Sequence, residues 1–298
     1  MNNLRPLILA IGQFDGVHCG HQKILRTAVE TARFHGGTAA CLTFTPHVAR
    51  VLNPAHAPFL LATAEQNRRW MLETGVDDIH LLPFTAELAA YPPGVFLGEL
   101  KTRFPNLREI VVGENFTFGK NREGNHDTLP TLAEPLSLSA RIVPHVQWRG
   151  QTISSTRIRT AIVEGDMEAA AAMLGRAFSM TGAVGHGREY GRTLGIPTAN
   201  LFPDLPIRPA PGVYAARMEV DGISYAAGAF IPDPADARQA LFGTAVEAHL
   251  LDFSGDLYDR MLEMAFLRRV RGYHCFSSPQ EAITQIHADL DAIRRDAE

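Results

Sequence analysis

Apolar residues in the first half of the chain fall into short unbroken runs that alternate with stretches of three-four spacing. Residues 7–12 (LILAIG) read as a buried strand, and residues 21–36 set Ile24, Leu25, Ala28, Val29 and Ala32 on one helical face. The Gly36-Gly37 pair stops that helix, and residues 38–44 (TAACLTF) form the next strand. The alternation continues with a helix over 65–75, a strand over 78–84, a helix over 96–104 and a strand over 109–116. This pattern predicts an open parallel sheet with helices on both faces. Ligands of such sheets sit beyond the carboxyl ends of the strands, so the loops after Ile11, Phe44, Phe84 and Val112 form the expected rim.

An Ala-rich helical stretch covers residues 157–175, and the texture then changes. SMTGAVG, GVYAARMEV, ISYAAGAF and AVEAHLLDF are short β-branched or aromatic runs separated by Gly and Pro, which predicts antiparallel strands in a small barrel. A closing helix runs from Ser278 as N-cap, with Pro279 at its first position. The expected organisation is an α/β domain over 1–176 followed by an all-β barrel domain with a C-terminal helix over 177–298, without internal repeats.

The chain has 298 residues, 46% hydrophobic and 20% charged, which is ordinary globular usage. Lys plus Arg number 28 against 32 Asp plus Glu, for a net charge of −4. That balance argues against a protein built to wrap nucleic acid or to lie on an anionic membrane. Cys19, Cys41 and Cys275 are too scattered for a disulfide framework or a CxxC metal knuckle, which fits a reducing compartment. No stretch approaches ~18 apolar residues, so the expectation is a soluble, cytoplasmic protein. Homo-oligomerisation is left open.

Candidate chemistry begins at GQFDGVHCGHQKIL (12–25), between the first strand and the first helix. Gly12, Gly16 and Gly20 allow close backbone approach to a ligand, and His18 and His21 share the opening turn of the helix. Two imidazoles beside a helix N-terminus suit developing charge on an attacked phosphoryl group. Solvated histidines, a zinc site using His18, Cys19 and His21, and structural glycines in an ordinary turn are the competing readings. A distant segment, ISSTRIR (153–159), brings Ser154, Ser155 and Thr156 ahead of a helix start carrying Arg157 and Arg159. Its hydroxyls and guanidinium groups again suit phosphate, while plain capping is the alternative.

In the second half, GHGREYGRTLGIPTANL (185–201) is glycine-rich but lacks the Lys-Ser/Thr of a Walker A loop. Backbone N–H groups around Gly187 and Gly191 can cradle phosphate, with Thr198 and Asn200 offering oxygens to Mg²⁺; a glycine-rich turn is the plain alternative. Glu247, flanked by apolar residues, is a candidate base for an attacking hydroxyl, or an ordinary outward-facing strand residue.

GxFDGVHxGH, TFTPH (43–47), VVGENFTFGKNREG (111–124) and ISSTRIR, in this order and spacing, resemble the adenylyltransferase half of the prokaryotic bifunctional riboflavin kinase/FAD synthetase family. GRTLGIPTAN, GVY (212–214), VEAHLLDF (246–253) and LY (257–258) resemble its kinase half, so the resemblance spans essentially the whole chain. It implies AMP transfer from ATP to FMN, giving FAD and pyrophosphate, and ATP-dependent phosphorylation of riboflavin to FMN, with Mg²⁺ at the phosphates. Small-molecule nucleotides and flavins are then the partners.

By the resemblance, His18 and His21 bind the ATP phosphates and stabilise the transition state. Asn115 contacts the α/β-phosphate region, Ser155, Thr156 and Arg159 hold the triphosphate, and Gly12, Phe14 and Asp15 line the nucleotide side. Phe44, Phe116 and Phe118 are candidate flavin walls, with core packing as the alternative for each. Thr198 and Asn200 bind Mg-ATP in the barrel, and Glu247 is the base for the ribityl hydroxyl.

The chain departs from the family pattern at three places. Residues 228–243 lack the usual Gly and Pro-Thr, Asp259 replaces a Gly, and Tyr273 stands where an acidic residue is expected. These changes fall on the flaps of the kinase half, so riboflavin phosphorylation is expected to be weak beside FAD formation. A monofunctional FAD synthetase with a binding-only barrel, and a nucleotidyltransferase for another phosphorylated acceptor, are the alternatives.

Overall fold

The structure, a computed structural model, describes residues 5–186, 196–235 and 246–297. The chain divides into two compact units, Met1–Pro58 with Ala64–Ser154, and Phe59–Thr63 with Ser155–Glu298. Among the described residues no helix is long and apolar enough to cross a membrane.

The first unit runs β1 (Leu7–Ile11), α1 (Cys19–Phe34), β2 (Thr38–Thr45), α2 (Val48–Leu52), α3 (Ala64–Glu73), β3 (Asp78–Pro83), α4 (Ala86–Ala89), α5 (Pro93–Arg103) and β4 (Leu107–Gly113). A short hairpin of β5 (Thr117–Phe118) and β6 (Gly124–Asn125) follows, then α6 (Leu129–Ala133), β7 (Ser139–Val143) and a second hairpin of β8 (Gln147–Trp148) and β9 (Gln151–Thr152). The main sheet has the order β3-β2-β1-β4-β7, and every pair in it is parallel. All five residues of β1 are buried, as a central parallel strand covered on both faces requires. Leu7, Leu9 and Ile11 join Phe96, Leu97 and Leu100 of α5 in one core cluster. α1 buries Leu25, Ala28, Val29 and Ala32, the stripe its three-four spacing predicts.

The strand order reverses between β1 and β4. In such sheets the two carboxyl ends diverge there and open a crevice for the ligand. The β1–α1 turn and the exit of β4 therefore flank the topologically favoured site. The sequence pattern does not predict β7, a five-residue edge strand whose alternating exposure and central Arg141 make it resemble loop residues.

In the second unit, residues 157–175 do not form one helix. They split into α7 (Ser155–Glu164) and α8 (Met167–Leu174), because Gly165 takes φ 81° and Asp166 caps α8 by accepting from the Ala169 N–H at 2.9 Å. A Cβ at Gly165 would lie 2.7 Å from the Tyr214 hydroxyl, so the break is fixed by close approach as well as by conformation.

The barrel is closed and antiparallel, in the order β10-β11-β14-β13-β12-β15. Its strands are β10 (Phe178–Gly185), β11 (Ala199–Pro203), β12 (Gly212–Val220), β13 (Ile223–Ile231), β14 (Val246–Leu250) and β15 (Met261–Gly272). Tyr214 and Phe266 fill its interior edge to face, with ring centroids 5.7 Å apart.

The closing helix α9 (Pro279–Ala297) begins where Ser278 Oγ accepts from the Glu281 N–H, while Glu281 accepts in turn from Ser277. α9 lies on the barrel through Leu290 and Ile293, which pack where Gly228 leaves no Cβ. The buried carboxylate of Asp289 pairs with Arg271 at 2.8 Å and accepts from Gln285 at 2.9 Å.

Candidate active sites

The β1–α1 turn is held by groups from three directions. The Gly12 N–H donates to Leu42 O at 3.1 Å, and Phe14 folds back into the interior at 2% exposure. A Cβ on Gly12 would lie 3.0 Å from the Phe14 ring, so glycine is what allows that fold-back. Gly16 and Val17 both take positive φ, 75° and 36°. A β-branched residue in that region stores strain of about 1–3 kcal/mol, which surrounding contacts must offset. Asn67 Oδ1 accepts from the Gly16 N–H at 2.8 Å, and Gln22 Nε2 donates to Val17 O at 3.0 Å. Asp15 is buried in the same turn.

The turn delivers His18 as the N-cap of α1. Its Nδ1 accepts from the N–H groups of Gly20 and His21 at 3.1 and 3.3 Å, so that nitrogen carries no proton and Nε2 is the one that can donate. Both caps and burial, at 6% exposure, separate His18 from a solvated surface histidine. His21 lies one turn on, its ring stacked on His18 with centroids 3.6 Å apart and planes 18° apart. Phe14 meets His21 edge-on at 5.3 Å. His21 Nδ1 is buried without a hydrogen-bond partner. Burial, and secondly the neighbouring His18, hold His21 well below the ordinary imidazole value of 6.5, so it rests neutral. A neutral imidazole with an unsatisfied nitrogen at a helix N-terminus is placed to hydrogen-bond an arriving anion, which the positive end of the helix itself favours.

Across the switch point, β4 ends at Gly113, where an added Cβ would lie 3.1 Å from Ile24 of α1 and 3.3 Å from Asn115 Oδ1. The Phe116 N–H closes the turn on Gly113 O at 3.0 Å, leaving Asn115 exposed at the rim. Phe118 is buried in the core cluster and stacks on Phe116 at 5.4 Å, whereas Phe116 and Phe44 pack only partly against that cluster. Phe44 meets Phe84 edge-on at 5.6 Å. The three phenylalanines thus belong to one apolar body, with Phe118 innermost.

Ser155 and Thr156 open α7 in the second unit, where Arg159 Nε donates to Phe59 O at 2.6 Å.

In the barrel, β11 and β14 set Asn200 directly opposite Glu247. Val246, Ala248 and Leu250 point inward, so Glu247 lies on the outer face with its ladder partner Asn200, and Thr198 lies just before β11. His249 Nδ1 pairs with Pro197 O at 2.8 Å and ties β14 to the chain entering β11. On the far side of Glu247 the ladder brings Phe230, whose ring centroid is 6.0 Å from that of Tyr273. Asp259 adopts φ 60°, the conformation a glycine would take freely and a short polar side chain tolerates. Gly187 and Gly191, and residues 236–243 of the altered loop, lie outside the described residues. Asn67 was not anticipated; its partner is 51 positions away in sequence, and no local pattern reveals such a bond.

Comparison with known proteins covers both halves. A family model described as FAD synthetase matches residues 1–157, and one described as riboflavin kinase matches 174–296. The bifunctional riboflavin kinase/FMN adenylyltransferase of Pseudomonas fluorescens is 34% identical over 99% of this chain and 95% of its own length. The Bacillus subtilis protein of that name is 33% identical over 96% of this chain and 92% of its own. A crystal structure from Streptococcus pneumoniae, described as a macrolide-efflux protein, superposes with a TM-score of 0.88 at 30% identity, over 97% of this chain and 94% of that one. With both halves matched in order and the relatives aligned almost end to end, the chain belongs to the bifunctional riboflavin kinase/FMN adenylyltransferase family.

Proposed function

We propose that the chain makes FAD in two ATP-dependent steps, riboflavin to FMN in the barrel half and FMN to FAD in the parallel-sheet half. The division of labour is placed near residue 176, a reading supported by a FAD synthetase match that ends at residue 157 and a riboflavin kinase match that begins at 174, whereas the compact units divide earlier, between Ser154 and Ser155. A cytoplasmic setting supplies the ATP that both steps consume.

The observation that carries the adenylyl transfer is the stacked His18–His21 pair at the N-terminus of α1, beside the switch point of the sheet. An FMN phosphate oxygen attacks the α-phosphorus of ATP. A new phosphorus–oxygen bond forms, the bond to the bridging α–β oxygen breaks, and pyrophosphate leaves. No side-chain nucleophile is needed, so catalysis is alignment and charge stabilisation. His18 Nε2 and the His21 imidazole donate to phosphate oxygens as negative charge grows on them. Asn115 at the exit of β4 contacts the phosphates from the other side of the crevice. Gly12, Phe14 and Asp15 shape the nucleotide side, and Phe44 and Phe116 present apolar surface to the flavin.

For the kinase step, the adjacency of Asn200 and Glu247 is the carrying observation. Glu247 takes the proton of the ribityl hydroxyl as its oxygen attacks the γ-phosphorus, and ADP leaves. The hydroxyl of Thr198 and the amide oxygen of Asn200 are the hard oxygen donors that fit Mg²⁺ beside the nucleotide's own phosphates. When bound, that ion screens the phosphate charge.

ATP labelled at the α-phosphorus tests the scheme. The label should pass from ATP to FAD when FMN is supplied, and label at the γ-phosphorus should pass to FMN when riboflavin is supplied.

A further inference from the structure

Asn67 lies in α3, away from the β1–α1 turn in sequence, yet its side chain holds that turn. Its Oδ1 accepts from the Gly16 N–H at 2.8 Å. Asn67 stands three and four residues before Trp70 and Met71, two of the three buried residues of α3, so it shares their side of that helix. Met71 in turn reaches Cys41 in β2, with the two sulfurs 3.5 Å apart. The amide is therefore presented from a packed element and not from a loose loop.

The bond acts where the backbone is least comfortable. Gly16 and Val17 are consecutive residues at positive φ, and His18 follows at once in extended conformation, with φ −68° and ψ 171°. Release of the Gly16 N–H would let Val17 return toward an ordinary conformation and swing the peptide that carries His18. The His18 ring would then lose its two capping contacts and its stack on His21. Asparagine is a poor residue for a helix interior, and here its amide oxygen is used on a loop.

We infer that Asn67 is a positioning residue for adenylyl transfer: its side-chain oxygen fixes the Gly16–Val17 backbone so that His18 and His21 face each other at the nucleotide site. This rests on the proposed adenylyl transfer. Asn67 does not touch substrate in this account and acts through Gly16.

The test uses the full-length protein with Asn67→Leu, which keeps the size and removes the acceptor, and Asn67→Asp, which keeps an acceptor oxygen. NMR of ring-labelled histidines in the free protein reads the geometry without any assumption about activity. Asn67→Leu should move the His18 and His21 ring signals, and Asn67→Asp should leave them close to the original. Unmoved signals in Asn67→Leu would overturn the inference, whatever the enzyme assays give.

FAD formation from FMN is then read in the same samples. Asn67→Leu should lower kcat about tenfold, the factor expected for one lost hydrogen bond, with a smaller change in the KM for ATP. Asn67→Asp should recover most of kcat, and riboflavin phosphorylation should be unchanged in both variants. Equal kcat losses in the two variants, or a loss confined to KM, would also overturn the inference. If the histidine signals move as expected while the unaltered protein makes no FAD, the assigned reaction fails and the positioning of the imidazoles stands.

Discussion

His18 and His21 stack face to face at 3.6 Å, with the first ring spent on capping α1 and the second left with a buried nitrogen that has no partner. The pair is thus already assembled before any ligand arrives, with one nitrogen left for a ligand to meet. His21→Ala should lower the turnover of FAD formation by ~10²-fold or more and change ATP affinity much less, since the contact strengthens only as charge develops. Steady-state kinetics with FMN as acceptor checks this, and a variant with near-normal turnover would remove His21 from the mechanism.

The low basicity of His21 has two consequences for pH. The unfolded chain takes up a proton at this residue near the ordinary value of 6.5, and the folded chain resists it. Stability is therefore complete above that value and declines as the pH falls below it, with a slope of at most about 1.4 kcal/mol per pH unit from this group. Urea unfolding between pH 7 and pH 5 should show a shallower decline in His21→Gln. A bound triphosphate moves the imidazole only part of the way toward its charged form, so ATP binding between pH 6 and 7 should draw in a fraction of a proton. Calorimetry in two buffers of different ionisation enthalpy reads that uptake directly.

The barrel half makes a separable prediction. Glu247→Gln should reduce riboflavin phosphorylation by about 10²–10⁴-fold, the contribution of a positioned base, and leave FMN adenylylation at its original rate. The Tyr273 ring lies with its centroid 6.0 Å from that of Phe230, the cross-strand neighbour of Glu247, at a position where the resemblance leads one to expect an acidic residue. In the unaltered protein, FMN formation from riboflavin should accordingly be slower than FAD formation from FMN. Rates measured side by side in one preparation decide it.

Asp289 gives a stability prediction. Its carboxylate, carried by α9, is buried against Arg271 of β15, and removing one partner strands the other charge. Asp289→Ala should destabilise the chain by about 2–4 kcal/mol, and Asp289→Asn by less, because the amide can still accept from Gln285. Thermal unfolding followed in the far-ultraviolet checks both.

The features legible in the sequence were those with a local signature. The run from Leu7 to Ile11 and the stripe Leu25, Ala28, Val29 and Ala32 report burial directly, and the three-residue spacing of His18 and His21 already placed them on one turn. β15 is not among the predicted strands, because Arg268, Arg269 and Arg271 interrupt its apolar alternation while the backbone pairs on both sides. The split between α7 and α8 rests on Gly165 at φ 81° and the Asp166 cap, a stop-and-start signal that the apolar, Ala-rich run around it masks. Phe44, Phe116 and Phe118 could not be sorted by sequence, since packing alone places Phe118 deeper than the other two. Asn67 was invisible for the same reason: its meaning lies in a backbone group far along the chain.

The most direct measurement is incubation of the full-length protein with ATP and Mg²⁺, with FMN in one sample and riboflavin in another, followed by chromatography of the flavins. FMN should be converted to FAD with one pyrophosphate released per FAD, and riboflavin should give FMN and then FAD more slowly. FMN left unconverted in the presence of ATP, or AMP transferred to a different phosphorylated acceptor in its place, would contradict the account.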